Sequence, residues 1–134
     1  MDSGILYRRL TSIILKNNID ITNKKKLFSF FNKIKYISSR KHKSLRKEKI
    51  SKFTSSLAVM PTIRNFINNQ QRKVVKIANK NYAGCVIDGR DIGSKVFKNA
   101  KIKLFIDANL EIRAKRRHKQ LIEQGEKSIY TRTL

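Results

Sequence analysis

Cysteine, proline and acidic residues are scarce in this sequence, and the shortages exclude several classes of protein. The 134 residues include one Cys, one Pro and nine Asp or Glu, against 32 Lys or Arg. The lone Cys85 excludes an internal disulfide, and neither histidine has ligand-type neighbours, so no metal site is predicted. No apolar run is long enough to span a membrane, and Arg8 and Arg9 fall where a signal peptide has its apolar core. A cytoplasmic protein without membrane contact is the default expectation.

The excess of basic residues is the most conspicuous compositional feature. The formal net charge is +23 and the isoelectric point is near 10.7. One interpretation is a polyanionic partner such as nucleic acid. The other is a general drift toward Lys, Asn and Ile, because the lysines are spread along the chain and form no single tail. Charge alone leaves both interpretations open.

Helical periodicity and capping residues predict much of the chain. A first helix begins at Asp2 or Ser3, and a later one has Pro61 in its first turn. A last helix is predicted between the N-cap Asn109 and the terminating Gly125. The helix that starts at Pro61 is expected to bury the stripe Ile63, Phe66, Ile67, Val74, Ile77 and Ala78.

Residues 24–47 are the hardest part to interpret. Their apolar positions suit a helix at first and then alternate as in a strand. Basic and aromatic residues interleave here, which is compatible with RNA contact or a membrane-surface face. The preferred interpretation is a small solvated insert whose aromatic side chains lie in the core. A further helix is predicted over residues 45–59.

Two short apolar runs are predicted to be strands that end in charged residues. The first, Cys85 to Ile87, reads as a buried strand and is followed by Asp-Gly-Arg-Asp at 88–91; the second covers 101–107. Ligands in open α/β sheets bind beyond the carboxyl ends of parallel strands. The sequence therefore predicts an α/β protein with a parallel sheet flanked by helices, and a ligand site at this edge.

Three separated segments combine small polar residues with arginine. They are Asp-Ser-Gly with Tyr-Arg at 2–8, Ser-x-x-Ala-x-x-Pro-x-Ile-Arg at 55–64, and Asp-Gly-Arg-Asp-Ile-Gly with Val-Phe at 88–97. Forked guanidinium groups suit the capture of a phosphate. Each arginine alone is more often a solvated surface charge, so the signal lies in the three segments together.

In this order and at these separations, the segments resemble bacterial cytidylate kinase, the CMP/dCMP kinase of the nucleoside monophosphate kinase group. The likeness extends over residues 100–121 and leaves out residues 17–44. It implies an incomplete P-loop NTPase-like fold and Mg²⁺-dependent phosphoryl transfer from ATP to CMP or dCMP. Residues 1–134 are interpreted as one partial kinase domain, with an insert on the monophosphate side at 24–47 and the start of a lid at 113–134.

The resemblance also implies site residues. By position, it assigns the CMP site to Ser3, Arg8, Ser55, Arg64, Arg90 and Asp91. Arg8 and Arg64 would bind the phosphate, whereas Arg90 and Asp91 would surround the cytosine. No residue is assigned to a metal.

The resemblance also places two catalytic residues in the predicted lid. Arg116 and Arg117 would begin the mobile segment that closes over ATP, and they are the residues taken as catalytic. Reactions of this kind depend on positioning and charge neutralisation, so arginines account for much of the rate.

The sequence departs from the family pattern in its phosphate loop. No Gly-x-x-x-x-Gly-Lys-Ser/Thr motif occurs in the 134 residues, and that motif cradles ATP phosphates. The expectation is therefore a kinase chain truncated at both ends, with impaired activity as a monomer or completed by another chain that carries the P-loop. Two alternatives stay open: a non-catalytic basic module that binds nucleic acid, and an inactive remnant.

Overall fold

The computed structural model describes residues 1–123 and Gly125, and these residues are mainly helical. They divide into two compact units, Met1–Asn99 and a second that begins at Ala100. The α-helices are α1 (Ser3–Lys16), α2 (Lys24–Lys33), α3 (Glu48–Ala58), α4 (Pro61–Asn81) and α5 (Leu110–Glu123). A 3₁₀ turn covers Lys43–Arg46 and a π-helical turn covers Ile92–Val96.

The predicted N-cap of α1 and the predicted first-turn proline of α4 are confirmed. Asp2 is the N-cap of α1, and its Oδ1 accepts a hydrogen bond from the Gly4 backbone N–H at 2.9 Å. Asn17 closes the same helix, where its backbone N–H donates to the Ile13 carbonyl. Pro61 occupies the first turn of α4, a position where its missing N–H costs no intrahelical bond.

Four helices of the first unit share one apolar core. The core consists of Leu6, Leu10, Ile14, Leu27, Phe31, Ile37, Leu57, Ile63 and Ile67. The rings of Phe31 and Phe66 stack with centroids 4.2 Å apart, which joins α2 to α4. The Thr54 hydroxyl donates to the Thr11 hydroxyl at 2.9 Å, so that α3 is also hydrogen-bonded to α1.

The aromatic side chains of residues 24–47 are only partly in the core. Phe31 is buried, as predicted for this insert, whereas Phe28 is exposed and Tyr36 is 50% exposed. Ile77 of α4 was expected in the buried stripe, and it is 53% exposed. These side chains lie outside the buried cluster that contains Ile63 and Phe31.

The predicted strands are not formed in the part of the chain that the structure describes. There, Asp2 and Asp88 make an isolated parallel bridge, but no sheet is present. Cys85 was predicted to be buried and is exposed, and Val86 is 86% exposed. In the second segment Phe105 is 92% exposed. A strand cannot satisfy its own backbone hydrogen bonds, so an apolar run without a neighbouring strand to pair with forms no sheet.

The second unit is described by α5 and the segment before it. Asn109 Oδ1 accepts from the Ile112 backbone N–H at 2.9 Å, which confirms the predicted N-cap. Gly125 follows the helix with φ +74°, a left-handed conformation that favours glycine. None of the described helices combines the length and the apolar character that a membrane span requires.

Candidate functional site

The first turn of α1 lies against the segment that starts at Asp88. The Asp88 backbone N–H donates to the Met1 carbonyl at 2.9 Å, and the Ser3 backbone N–H donates to the Asp88 carbonyl at 2.9 Å. Two of the three segments singled out in the sequence, 2–8 and 88–97, are thus joined by backbone hydrogen bonds. Their side chains consequently emerge in one place although about 85 residues separate them.

Glycine is required at position 89 by this close approach. A Cβ atom at Gly89 would lie 2.2 Å from Ser3 Oγ and 2.6 Å from Ile92 Cγ1. Ser3 is itself buried, so its hydroxyl cannot move far to make room. The predicted binding residue Ser3 therefore packs against the Gly89 backbone in this structure.

Arg64 is the residue by which the third segment, 55–64, contacts the site. One terminal nitrogen of its guanidinium donates to Asp91 Oδ2 at 3.0 Å, and the two side chains are 39% and 30% exposed. An ion pair this exposed stabilises a fold by at most about 1 kcal/mol, since water and salt screen it. Its main consequence is geometric: α4 presents Arg64 at the turn that follows Asp88, with further N–H groups left for a ligand.

Tyr7 is the site residue that the sequence assignment missed. Burial raises the pKa of its hydroxyl, and the nearby Asp91 carboxylate raises this pKa further. Arg64 lowers the pKa through its charge and through a hydrogen bond, but burial dominates. A signal was present, because Tyr7 belongs to the 2–8 segment. The structure thus groups Tyr7, Arg64 and Asp91.

The other predicted CMP-site residues are less constrained. Arg8 is partly buried and Arg90 is exposed, and within the described residues neither side chain has a hydrogen bond or an ion pair. Ser55 is exposed on α3, where its hydroxyl donates to the Ser51 carbonyl at 3.2 Å. The roles of Arg8, Ser55 and Arg90 toward a ligand stay predictions.

The two arginines predicted to act in catalysis lie on α5. Arg116 is exposed and Arg117 is partly buried. The predicted lid covers 113–134, of which 124 and 126–134 lie outside the described residues. The catalytic assignment therefore stays a prediction.

The described acidic residues do not fit a magnesium site. Residues 1–123 and Gly125 contain no cluster of three or more His, Cys, Asp or Glu side chains able to hold a metal ion. Asp91 already pairs with Arg64, and Asp88 is exposed and makes its backbone bridge with Asp2. The chemistry available here is cationic: guanidinium groups that can bind and orient a phosphate.

Comparison with known proteins identifies the family of the chain. The sequence profile described as cytidylate kinase matches residues 1–134. The cytidylate kinase of Mycoplasma capricolum is 35% identical over 132 residues, covering 92% of this chain and 57% of that protein. The cytidylate kinase of Rickettsia akari is also 35% identical, covering 95% of this chain and 55% of its own length. A bifunctional pantoate ligase/cytidylate kinase of Prochlorococcus marinus is 32% identical over the whole of this chain and 28% of its own.

The class that these matches define is the nucleoside monophosphate kinases with a P-loop fold. The chain belongs to the cytidylate kinase family. It spans a little more than half the length of the two cytidylate kinases above. The sheet of that fold is not formed by the described residues.

Proposed function

We propose that this chain forms the acceptor side of a cytidylate kinase, the site that binds CMP or dCMP for phosphoryl transfer from ATP. The reaction would yield CDP or dCDP, with Mg²⁺ supplied together with the nucleotide phosphates. The observation that carries the proposal is the meeting of Tyr7, Arg64 and Asp91, one from each of three distant segments.

Each residue of the proposed site has a chemical role. Arg64 would bind the CMP phosphate, because its guanidinium has five N–H donors, more than its contacts with Asp91 and Tyr7 use. Arg8 follows Tyr7 on α1 and would add a second guanidinium. Ser3 would act through its contact with Gly89, by shaping the floor of the site.

Recognition of the cytosine is assigned to the turn after Asp88. The exposed Arg90 and the partly exposed Asp91 would face the base edge, and Ser55 would contact the nucleotide from α3. Hydrogen bonds to base edges discriminate strongly, because a wrong base leaves polar groups unpaired. We therefore expect a preference for CMP over AMP.

We further propose that the 134 residues by themselves bind CMP but transfer phosphate slowly. They contain no Gly-x-x-x-x-Gly-Lys-Ser/Thr motif, and losing a donor to a developing charge typically raises a barrier by about 3–4 kcal/mol. Arg116 and Arg117 would contribute lid contacts with ATP. A coupled assay of CDP formation would test this: appreciable turnover by the isolated chain would contradict it.

A pair of arginines on α4 gives a matched test of phosphate binding. Arg64→Ala should weaken CMP binding at least about tenfold, since hydrogen bonds to charged groups are strong. Arg72→Ala is the control, because Arg72 is exposed on the same helix and donates to Asn69 instead. Titration calorimetry on both variants provides the comparison, and equal losses would contradict the assignment of Arg64.

A second variant separates base recognition from phosphate binding. Arg90→Ala should abolish the preference for CMP over AMP while both nucleotides still bind through their phosphates. Titrations of the two nucleotides at one salt concentration measure that ratio. An unchanged ratio would remove Arg90 from the site.

A further inference from the structure

A basic groove lies on the first unit, away from the candidate CMP site. It encloses about 320 Å³ between the segment after α2 and the C-terminal half of α4. Its lining residues are Lys35, Tyr36, Lys73, Lys76, Ile77 and Lys80. Lys73 follows Arg64 by nine residues on α4, which corresponds to about 14 Å along the helix axis.

The groove is built on a buried hydrogen bond. The Ile37 backbone N–H donates to Gln70 Oε1 at 3.2 Å, and both residues are buried. This bond fixes Tyr36 beside α4, one turn before Lys73. Three of the lysines belong to α4 at positions i, i+3 and i+7, which places them on one face of the helix. The backbone that carries these side chains is thus held to the core at Ile37 and Gln70.

The lysines of the groove have no acidic partner in the part of the chain that the structure describes. No acidic residue lines it, and none of its four lysines forms an ion pair within residues 1–123. Ammonium groups this close to one another raise the local positive potential, which an anionic ligand would relieve. The groove therefore favours a ligand with several negative charges.

The apolar surface at the floor of the groove indicates which class of anionic ligand would bind. Tyr36 and Ile77 are each about half exposed, so a ring face and an aliphatic surface lie between the lysines. Bases of a single strand stack on such surfaces while cationic side chains follow the backbone. A membrane surface fits less well, because Ile63 and Ile67 of α4 are buried in the core and Phe66 stacks on Phe31, so that they cannot enter a lipid layer.

We propose that this groove binds single-stranded nucleic acid, with Tyr36 stacking on a base and Lys73, Lys76 and Lys80 contacting consecutive phosphates. Binding is independent of sequence, because the groove offers charge and a stacking face but no constellation of polar groups aimed at base edges. This site is separate from the proposed CMP site.

The test uses fluorescence anisotropy of a labelled 12-nucleotide single strand with the 134-residue chain at moderate salt. The triple variant Lys73→Gln, Lys76→Gln, Lys80→Gln should bind at least tenfold more weakly. The matched control carries Lys24→Gln, Lys25→Gln and Lys26→Gln, which removes the same charge from exposed positions of α2. The control should bind within about twofold of the unmodified chain. An equal loss in both triples would overturn the proposal in favour of diffuse charge.

The aromatic contact has its own variants. Tyr36→Ala should lower the affinity about tenfold, the effect expected for one lost stacking contact, and Tyr36→Phe should retain it. The triple variant of Lys73, Lys76 and Lys80 removes three phosphate contacts, so its slope of log affinity against log salt should be about two units shallower. Unchanged binding by Tyr36→Ala would overturn the stacking role.

Two further ligands, a duplex and anionic vesicles, distinguish a single-strand site from a duplex site and from a membrane-binding surface. A duplex of the same sequence should bind more weakly than the single strand, since its bases are already stacked. Vesicles containing anionic phospholipid should not compete with the oligonucleotide; binding of vesicles without binding of the oligonucleotide would overturn the proposal. The groove triple should still bind CMP normally, so failure here and failure of the proposed CMP site are distinguishable.

Discussion

The helical core of the first unit and the two apolar segments at 85–87 and 101–107 contain similar residues but differ in burial. Leu10 and Ile63 are wholly buried, whereas Val86 and Leu104 are more than four-fifths exposed. A helix closes its backbone hydrogen bonds within itself, so an amphipathic helix only needs another apolar face to pack against. A strand also needs a neighbouring strand. An apolar residue on the inner face of α1 to α4 is therefore buried, whereas the apolar residues of 85–87 and 101–107 are mostly exposed.

Truncating one leucine in each region should give the largest difference. Leu10→Ala should lower the free energy of unfolding by about 2–5 kcal/mol, because it leaves a cavity in the core. Leu104→Ala should change it by less than about 0.5 kcal/mol. Urea denaturation followed by circular dichroism measures both. Comparable losses would show that residues 101–107 are packed in solution.

The two glycines that flank the predicted strand Cys85 to Ile87 provide the next contrast. Gly89→Ala should cost about 1–3 kcal/mol, because its methyl group would overlap Ser3 and Ile92. Gly84→Ala should be nearly neutral, since nothing lies within 4 Å of a Cβ there. The midpoints of urea unfolding give the comparison. A neutral Gly89→Ala would mean that α1 does not contact the 88–91 turn.

Removal of the ion pair should have a smaller effect on folding. Asp91→Asn should lower the free energy of unfolding by less than about 1 kcal/mol, because both partners are partly exposed. High salt should shrink the difference between the unmodified chain and the variant. A loss that is large and independent of salt would indicate a buried pair, contrary to the structure.

The smallest expected change in stability comes from the ionisation of Tyr7 at alkaline pH. Its pKa is raised in the folded state by burial, so its contribution is complete below pH 10.0, the ordinary value, and is lost as the pH rises through the folded-state pKa. Tyr7→Phe should therefore flatten the decline of stability above pH 10.0. Tyr36→Phe, which changes an exposed tyrosine, serves as the control. Identical pH profiles for both variants would argue against burial of the Tyr7 hydroxyl.

Much of the helical structure could be predicted because its determinants are local. Asp2, Pro61 and Asn109 act within one turn of the helices that they begin, so their effect is visible in a short stretch of sequence. Burial of the apolar stripe was predictable at Ile63 but not at Ile77, whose helix extends past the core.

The sequence predicted which segments contribute to the candidate site better than it predicted which of their side chains meet. The ion pair of Arg64 with Asp91 joins residues 27 positions apart, and no local pattern shows that they meet. The contact of Ser3 with Gly89 depends likewise on tertiary packing. The predicted sheet is not formed by the described residues, since strand pairing depends on neighbours that an apolar run does not itself specify.

The most direct test of the proposed CMP site is titration calorimetry of CMP into the unmodified chain at moderate salt, with AMP as the control ligand. Saturable binding of CMP, clearly tighter than that of AMP, is the result that a site formed by Tyr7, Arg64, Arg90 and Asp91 predicts. Weak and equal binding of both nucleotides, fading as salt is added, would contradict it and leave only nonspecific attraction to a basic surface.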